Sequence, residues 1–342
     1  MSVAAYPPPW IAAAVQAAPV FLQPQATADR AASLVAEAAR NGASLVAFPE
    51  VFIAGYPYWN WIMTPLAGSE WFRRLHDSAV AVPGPEVATV AAAARRHGVH
   101  VVIGVNERSR RGVGTIYNTV LTIDDRGRLL GRHRKLVPTW AEKLTWTGGD
   151  GSSLVVHDTS LGPLGVLACG ENTNPLARFA LLEQGELVHV AGYIALPTAP
   201  EDYDMAAAIE RRTAAHSFEG KVFTIAACST ISDEIVAALA PAGPEAQELL
   251  RRRDSAWSGI CGPDGTVVGE PLVDVEGITY GEIDLSQCVR HNQMHNITGH
   301  YNRFDVFSFS VDRTSRGPDG PFDGPVELLD THSDDGSQEV RP

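Results

Sequence analysis

In Gly165-Val166-Leu167-Ala168-Cys169-Gly170-Glu171-Asn172-Thr173-Asn174-Pro175, a short apolar run ends abruptly in a thiol. Val166 to Ala168 reads as a buried strand. The segment from Asn174 to Leu182 reads as a helix, with Pro175 suited to its first turn. A thiol at a strand-to-helix switch lies near helix N–H groups, which favour negative charge and lower a thiol pKa. Gly170 leaves room for a ligand to approach the backbone. Free cysteine is also among the most buried residue types, so plain core is the commoner reading of such a window taken alone. A nucleophilic cysteine needs partners, and they have to come from elsewhere in the chain.

Working outward, the same helix, glycine and strand unit recurs. Thr27 to Arg40 reads as a helix capped by Thr27, with Ala31, Leu34, Val35 and Ala38 on one face and a stop at Gly42. Strand 44–48 follows and ends in Pro49-Glu50. Pro85 opens a helix to Arg96, Gly98 stops it, and strand 99–105 ends in Asn106-Glu107. The helix from Asn174 stops at Gly185, and strand 187–190 leads to Tyr193. The helix from Met205 stops at Gly220, and strand 222–227 ends at Cys228. An initial strand, 11–16, precedes all four units. Hairpins are expected at 115–136, turning at Asp124-Asp125-Arg126-Gly127, and at 259–269, turning at Pro263-Asp264-Gly265. A last short strand covers 281–285. Strands mixed with surface helices imply layered α/β sheets. Ligands in such sheets lie beyond the carboxyl ends of strands, where Glu50, Asn106, Glu107, Cys169, Tyr193 and Cys228 all fall.

The 342 residues are 45% hydrophobic and 20% charged, with a formal net charge of −13. That charge argues against nucleic-acid or anionic-membrane binding, which needs a basic face. The four cysteines, Cys169, Cys228, Cys261 and Cys288, are far apart, so neither a disulfide framework nor a zinc site is expected. The first ten residues are rich in proline and lack a basic leader region, and no apolar run of about 18 residues occurs. A soluble cytoplasmic protein is the expectation. No proline- or serine-rich linker divides the middle of the chain, so residues 1–313 read as one domain. Residues 314–342, rich in Gly, Pro, Ser and Asp, read as an extended or disordered tail.

Three further polar positions need explaining. Glu50 ends the apolar run Leu45-Val46-Ala47-Phe48-Pro49, Lys135 sits in Arg132-His133-Arg134-Lys135-Leu136, and Glu142 lies seven residues further on. Singly, each reads as a solvated charge. Together with Cys169 they suit one chemistry: a thiolate attacks an electrophilic carbon bearing nitrogen, a carboxylate manages protons, and an ammonium steadies the developing charge.

The motifs Phe48-Pro49-Glu50, Arg134-Lys135-Leu136-x-Pro138-Thr139-x-x-Glu142 and Cys169-Gly170-Glu171-Asn172, with Asn174-Pro175-Leu176-x-Arg178, occur in this order. In them the chain, from about residue 11 to about residue 312, resembles the nitrilase superfamily of carbon–nitrogen hydrolases. The resemblance implies a four-layer α-β-β-α sandwich. It implies Cys169 as nucleophile, Glu50 as general base, Lys135 as stabiliser of the tetrahedral intermediate, and Glu142 as the acid that positions substrate and lysine. The Gly170 N–H would be a second oxyanion donor. No metal or organic cofactor is implied.

The nitrilase branch is the one most resembled, through Pro138-Thr139-Trp140-Ala141-Glu142-Lys143 with Trp146 and Gly149-Asp150-Gly151, and through 299–307. The implied substrate is a small-molecule nitrile, and the implied state a homodimer at least, with longer spirals in many relatives. One departure stands out. Many nitrilases carry Trp directly after the catalytic cysteine, where this chain has Gly170, so pocket and product balance are expected to differ. Tyr56, Trp146 and Tyr193 are the expected substrate-wall residues, with a mild preference for aromatic or arylaliphatic nitriles. An amidase or carbamoylase of the same superfamily, a cyanide-processing or nitrile-hydrating enzyme giving an amide, and a catalytically silent binding member are the alternatives. His291, His295 and His300 crowd one region without carboxylate support, so surface or interface histidines are expected there rather than a metal site.

Overall fold

The computed structural model describes residues 6–200 and 202–328. The opening of the chain runs β1 (Trp10–Gln16), α1 (Pro24–Arg40), β2 (Ala43–Ala47), α2 (Trp59–Ile62), α3 (Ser69–Ser78) and α4 (Pro85–His97). Next come β3 (His100–Arg108), β4 (Ile116–Ile123), β5 (Arg128–Arg134), β6 (His157–Thr159), β7 (Gly162–Ala168), α5 (Pro175–Leu182) and β8 (Val188–Tyr193). The remainder comprises α6 (Met205–Gly220), β9 (Phe223–Cys228), α7 (Asp233–Ala238), α8 (Pro244–Leu250), β10 (Trp257–Cys261), β11 (Val267–Val273), β12 (Gly277–Ile283), α9 (Ser286–Asn292) and β13 (Val326–Glu327).

These strands form two sheets, ordered β12-β1-β2-β3-β4-β5-β13 and β11-β10-β9-β8-β7-β6. Strands β1, β2 and β3 are parallel neighbours, as are β7, β8 and β9. Alternation along the strands sorts the layers. Ala12, Ala14, Leu45, Ala47 and Val102 face Val166, Ala168, Val190 and Ile225 of the other sheet. The opposite faces of the first sheet, Ala13, Val15, Val46 and Val101, take Ala31 and Val35 of α1 with Val90 and Ala94 of α4. Leu167 takes Ala177 and Leu181 of α5, and Ala191 and Ala226 take Met205 and Ile209 of α6. The result is the expected α-β-β-α sandwich.

Several boundaries depart from the sequence reading. Helix α1 begins at Pro24, a first-turn proline, and Thr27 is not its cap. The Thr27 hydroxyl donates instead to the Val20 and Gln23 carbonyls, at 3.0 Å each. Strand β3 runs through Asn106 and Glu107 to Arg108, because both polar side chains are buried with partners. Gly220 ends α6 from within, and Lys221, at φ +56°, is the left-handed residue that follows. A Cβ at Gly220 would meet Leu182 at 2.6 Å, so this glycine serves close packing of α5 on α6.

Of the tail expected from residue 314, residues 329–342 lie outside the described residues. Val326 and Glu327 pair with Leu129 and Arg128 of β5. Asp319 accepts from the Ser109 hydroxyl at 2.9 Å and from Arg134 at 2.7 Å. No described helix is long and apolar enough to cross a membrane.

Candidate active site

The carboxyl ends of β2, β7 and β8 meet. The Glu50 N–H donates to the Tyr193 carbonyl at 3.2 Å, which joins the two sheets at this edge. The turn carrying Glu50 fits because its neighbours lack side chains. A Cβ at Gly104 of β3 would lie 2.2 Å from the Val51 nitrogen, and one at Gly192 would lie 3.0 Å from the Glu50 nitrogen. Val51 itself stands at φ +42°, an outlying conformation for a β-branched residue.

Lys135 follows β5 directly and is fully buried. Its Nζ lies 2.7 Å from Glu50 Oε1 and 2.7 Å from Glu142 Oε2. Glu142 sits in a short 3-10 turn, Trp140–Leu144, with a reciprocal capping box to Thr139. Its Oε2 also accepts from the Thr139 N–H at 2.6 Å, and its Oε1 from the Tyr56 hydroxyl at 3.0 Å. Glu142 is therefore saturated. Glu50 is not: Oε1 accepts from Lys135 and from Asn118 Nδ2 at 2.6 Å, while buried Oε2 has no hydrogen-bond partner among the described residues. Burial raises Glu50 to about 7 against the pull of Lys135. Lys135 is itself held above the usual ammonium range: burial lowers it, and the two carboxylates more than reverse this.

Cys169 opens a second 3-10 turn, Cys169–Thr173, and stands at φ +45°. Non-glycine residues in that region cost free energy and cluster at functional sites. Its thiol is buried, and burial first, then the Glu50 charge, push its pKa up, with Lys135 opposing. The lowered pKa expected from a helix N-terminus is thus not found. The first helix proper starts only at Pro175, and desolvation outweighs any dipole at Cys169. Glu171 ties this turn to the lysine segment: it accepts from the Leu136 N–H at 2.6 Å, the Ala168 N–H at 2.9 Å and His133 Nε2 at 3.0 Å.

Glu50, Lys135, Glu142 and Cys169 are thereby brought together. Tyr56 and Trp146 lie behind the lysine, their rings 5.6 Å apart, and Lys135 Nζ is 5.8 Å from the Trp146 ring centre. The Trp146 indole donates to Asn106 at 2.9 Å. Tyr193 packs with Cys169, fully buried. A Cβ on Gly170 would have Thr139 Oγ1 at 2.9 Å as its sole near neighbour among the described residues. Tyr58 and Trp59 pack with Trp71 and Leu75, leaving Trp61 and Trp140 edge to face, 5.4 Å apart, at the surface side. Asn118 and Asn106, which face each other across β3 and β4, were not singled out from sequence for these contacts. No local pattern marks them, since β3 also carries Glu107 and Arg108 and β4 also carries Thr119 and Thr122.

Comparison with known proteins places the chain in a family. Residues 11–293 match the profile of the carbon-nitrogen hydrolase family. An aliphatic nitrilase from Rhodococcus rhodochrous is 37% identical over 310 residues, covering 90% of this chain and 83% of that protein. A bifunctional nitrilase/nitrile hydratase from Nicotiana tabacum is 37% identical, covering 88% and 85%. A crystal structure of a carbon-nitrogen hydrolase from Helicobacter pylori G27 superposes with a TM-score of 0.64 at 21% identity, covering 84% of this chain and 93% of that one.

Proposed function

Since the chain belongs to the carbon–nitrogen hydrolase family, we propose that it is a nitrilase and that Cys169, Glu50, Lys135 and Glu142 carry its reaction. The thiol of Cys169 adds to the nitrile carbon while Glu50 takes the thiol proton and delivers it to nitrogen, giving a thioimidate. Glu50 then removes a proton from water as the water adds. The tetrahedral species expels ammonia and leaves a thioester, and a second water releases the carboxylic acid and regenerates the thiol. If the tetrahedral species expels the thiol instead, the amide is the product.

The observation that best supports this reading is the Lys135 ammonium held 2.7 Å from each of two carboxylates. Fixed there, it meets charge developing on the former nitrile nitrogen and on the tetrahedral oxygen without reorganising. Glu142, saturated by three donors, keeps Lys135 in place. Glu50 Oε2, free of donors among the described residues, is the oxygen available to accept a proton. With Glu50 near 7, the carboxyl is matched to both accepting and returning a proton near neutrality. Gly170 is proposed as the backbone oxyanion donor, and Tyr56, Trp146 and Tyr193 as the walls behind the reacting groups.

The substrate class is a small organic nitrile, with aromatic or arylaliphatic side chains favoured through the Trp61–Trp140 edge. A homodimer at least is part of the same reading, supported by Leu176 and Phe218 standing exposed on α5 and α6, as is a cytoplasmic setting. The decisive experiment is mass spectrometry of protein quenched during turnover on a nitrile panel. An adduct on Cys169, lost in Cys169→Ala, is expected. Turnover by folded Cys169→Ala, or an adduct on Cys228, Cys261 or Cys288 instead, overturns the assignment.

A further inference from the structure

Outside the reacting groups, among the described residues, one cluster of histidine and carboxylate has its ligand atoms within 4.8 Å of one another: Glu186, His189 and His216. All three are buried between β8 and α6, far from the His291–His300 segment in sequence. The cluster touches the nucleophile turn. His189 Nδ1 lies 2.7 Å from Glu186 Oε1, and His189 Nε2 lies 2.8 Å from Asn172 Oδ1. Asn172 Nδ2 in turn donates to the Cys169 carbonyl at 3.1 Å.

The protons can be assigned from partners. The Asn172 amide nitrogen faces the carbonyls of Cys169 and Leu167, so its oxygen is left to face His189. That oxygen only accepts, so His189 Nε2 donates. Glu186 is ionised: burial would raise it, but His189 and His216 bring it down to about 2. His189 Nδ1 faces the other way, toward Glu186, so the ring bridges the carboxylate and Asn172. His216 donates from Nε2 to Glu186 Oε2 at 3.1 Å, while its buried Nδ1 has no partner among the described residues. Strand β7 makes room for this arrangement, since a Cβ at Gly165 would lie 1.9 Å from Glu186 Oε1.

The carbonyl that Asn172 holds belongs to the peptide joining Cys169 to Gly170. A trans peptide is planar, with its C=O and N–H pointing in opposite directions. Holding the Cys169 oxygen toward Asn172 therefore turns the Gly170 N–H the other way. That N–H lies in the first turn, where amides have no partner inside the helix. We infer that Glu186, His189 and Asn172 form a positioning relay that sets the Cys169–Gly170 peptide and so aims the Gly170 N–H at the oxyanion. The inference rests on the nitrilase reading for its kinetic consequence, but its structural consequence stands apart from any substrate.

Asn172→Asp tests it with little change of shape. A carboxylate at 172 keeps the acceptor for His189 but repels the Cys169 carbonyl and attracts the Gly170 N–H. The crystal structure of Asn172→Asp is expected to show the 169–170 peptide flipped. Its kcat on a nitrile is expected to fall about 10²- to 10³-fold with KM nearly unchanged, the loss typical of one oxyanion donor. Alkylation of Cys169 by iodoacetamide, which develops no oxyanion, should stay within about threefold of wild type. His189→Leu should reproduce the kinetic loss, and His189→Gln, which restores a donor near the Nε2 position, should recover most of it.

An unflipped peptide in Asn172→Asp overturns the relay, as does a metal ion found at Glu186, His189 and His216 by elemental analysis. Equal loss of alkylation and of kcat overturns it too, because the thiol itself would then be what moves. A flipped peptide in Asn172→Asp, together with a wild type inactive on every nitrile, would leave the relay standing and refute the nitrilase reading instead.

Discussion

Gly104→Ala should disable the enzyme without touching any reacting group. Gly104 lies in β3, and its N–H donates to the Pro49 carbonyl at 3.2 Å while its carbonyl accepts from the Ile53 N–H at 3.1 Å. An added Cβ would stand 2.2 Å from the Val51 nitrogen, 2.5 Å from the Pro49 oxygen and 2.7 Å from the Glu50 carbonyl carbon. All three are backbone atoms, so no flexible side chain can yield. The turn must recede by about 1.2 Å, the gap between 2.2 Å and the 3.4 Å at which ordinary contact begins. Glu50 Oε1 receives bonds of 2.7 and 2.6 Å from Lys135 and Asn118, and a shift of that size takes them beyond hydrogen-bond length. Misplacement by about 1 Å costs on the order of 10²-fold in rate, or about 2.7 kcal/mol of barrier. Overpacking also lowers stability by about 1–3 kcal/mol. The assay is ammonia release from a nitrile, giving kcat and KM, beside a thermal melt. Gly277→Ala in β12 is the control, since its Cβ meets only the Leu272 side chain at 3.3 Å or beyond. Folded Gly104→Ala with kcat within twofold of wild type would refute the argument.

Three other outcomes are expected. With Glu50 raised to about 7, protonation at lower pH removes the base, so log kcat/KM should fall with unit slope below pH 7; a limb near 4.5 would contradict this. Lys135→Met leaves Glu50 and Glu142 buried without their cation, which should cost about 3–5 kcal/mol and abolish turnover. A melting curve like that of the wild type would contradict it, and Lys135→Arg should also be inactive because a planar fork cannot replace a compact ammonium between two carboxylates. Gly170→Ala places a methyl 2.9 Å from Thr139 Oγ1, disturbing the cap of the Glu142 turn. Its kcat should drop several-fold and its amide-to-acid ratio change, measured by chromatography of the products; unaltered values would show that the Thr139 contact does not matter.

The layered sheets were legible in the sequence because four helix, glycine and strand units carry strong apolar periodicity. Their boundaries were less so. Asn106 and Glu107 look like the end of a strand when polarity alone is weighed, yet Asn106 is held by the Ile53 and Gly55 carbonyls and Glu107 by Arg132 and Arg134. Partners distant in sequence turned polar residues into strand interior. Glu50, Lys135, Glu142 and Cys169 stand in recognisable motifs, whereas Asn118 is set by β3–β4 register and His189 by contact across α6, which no local pattern records. The direction of the Cys169 shift was misread for the same reason: a local helix-end argument does not count the burial contributed by the rest of the fold.

Whenever Glu50 is ionised, two carboxylates around one ammonium give the proposed reaction centre surplus negative charge. A nitrile enters uncharged and feels little of this field, but the acid made from it leaves as an anion. The walls that hold the lysine therefore also drive egress of the finished molecule. Weak inhibition by accumulated carboxylate is the expected kinetic face of that asymmetry, and an amide, being neutral, would gain no such help in departing.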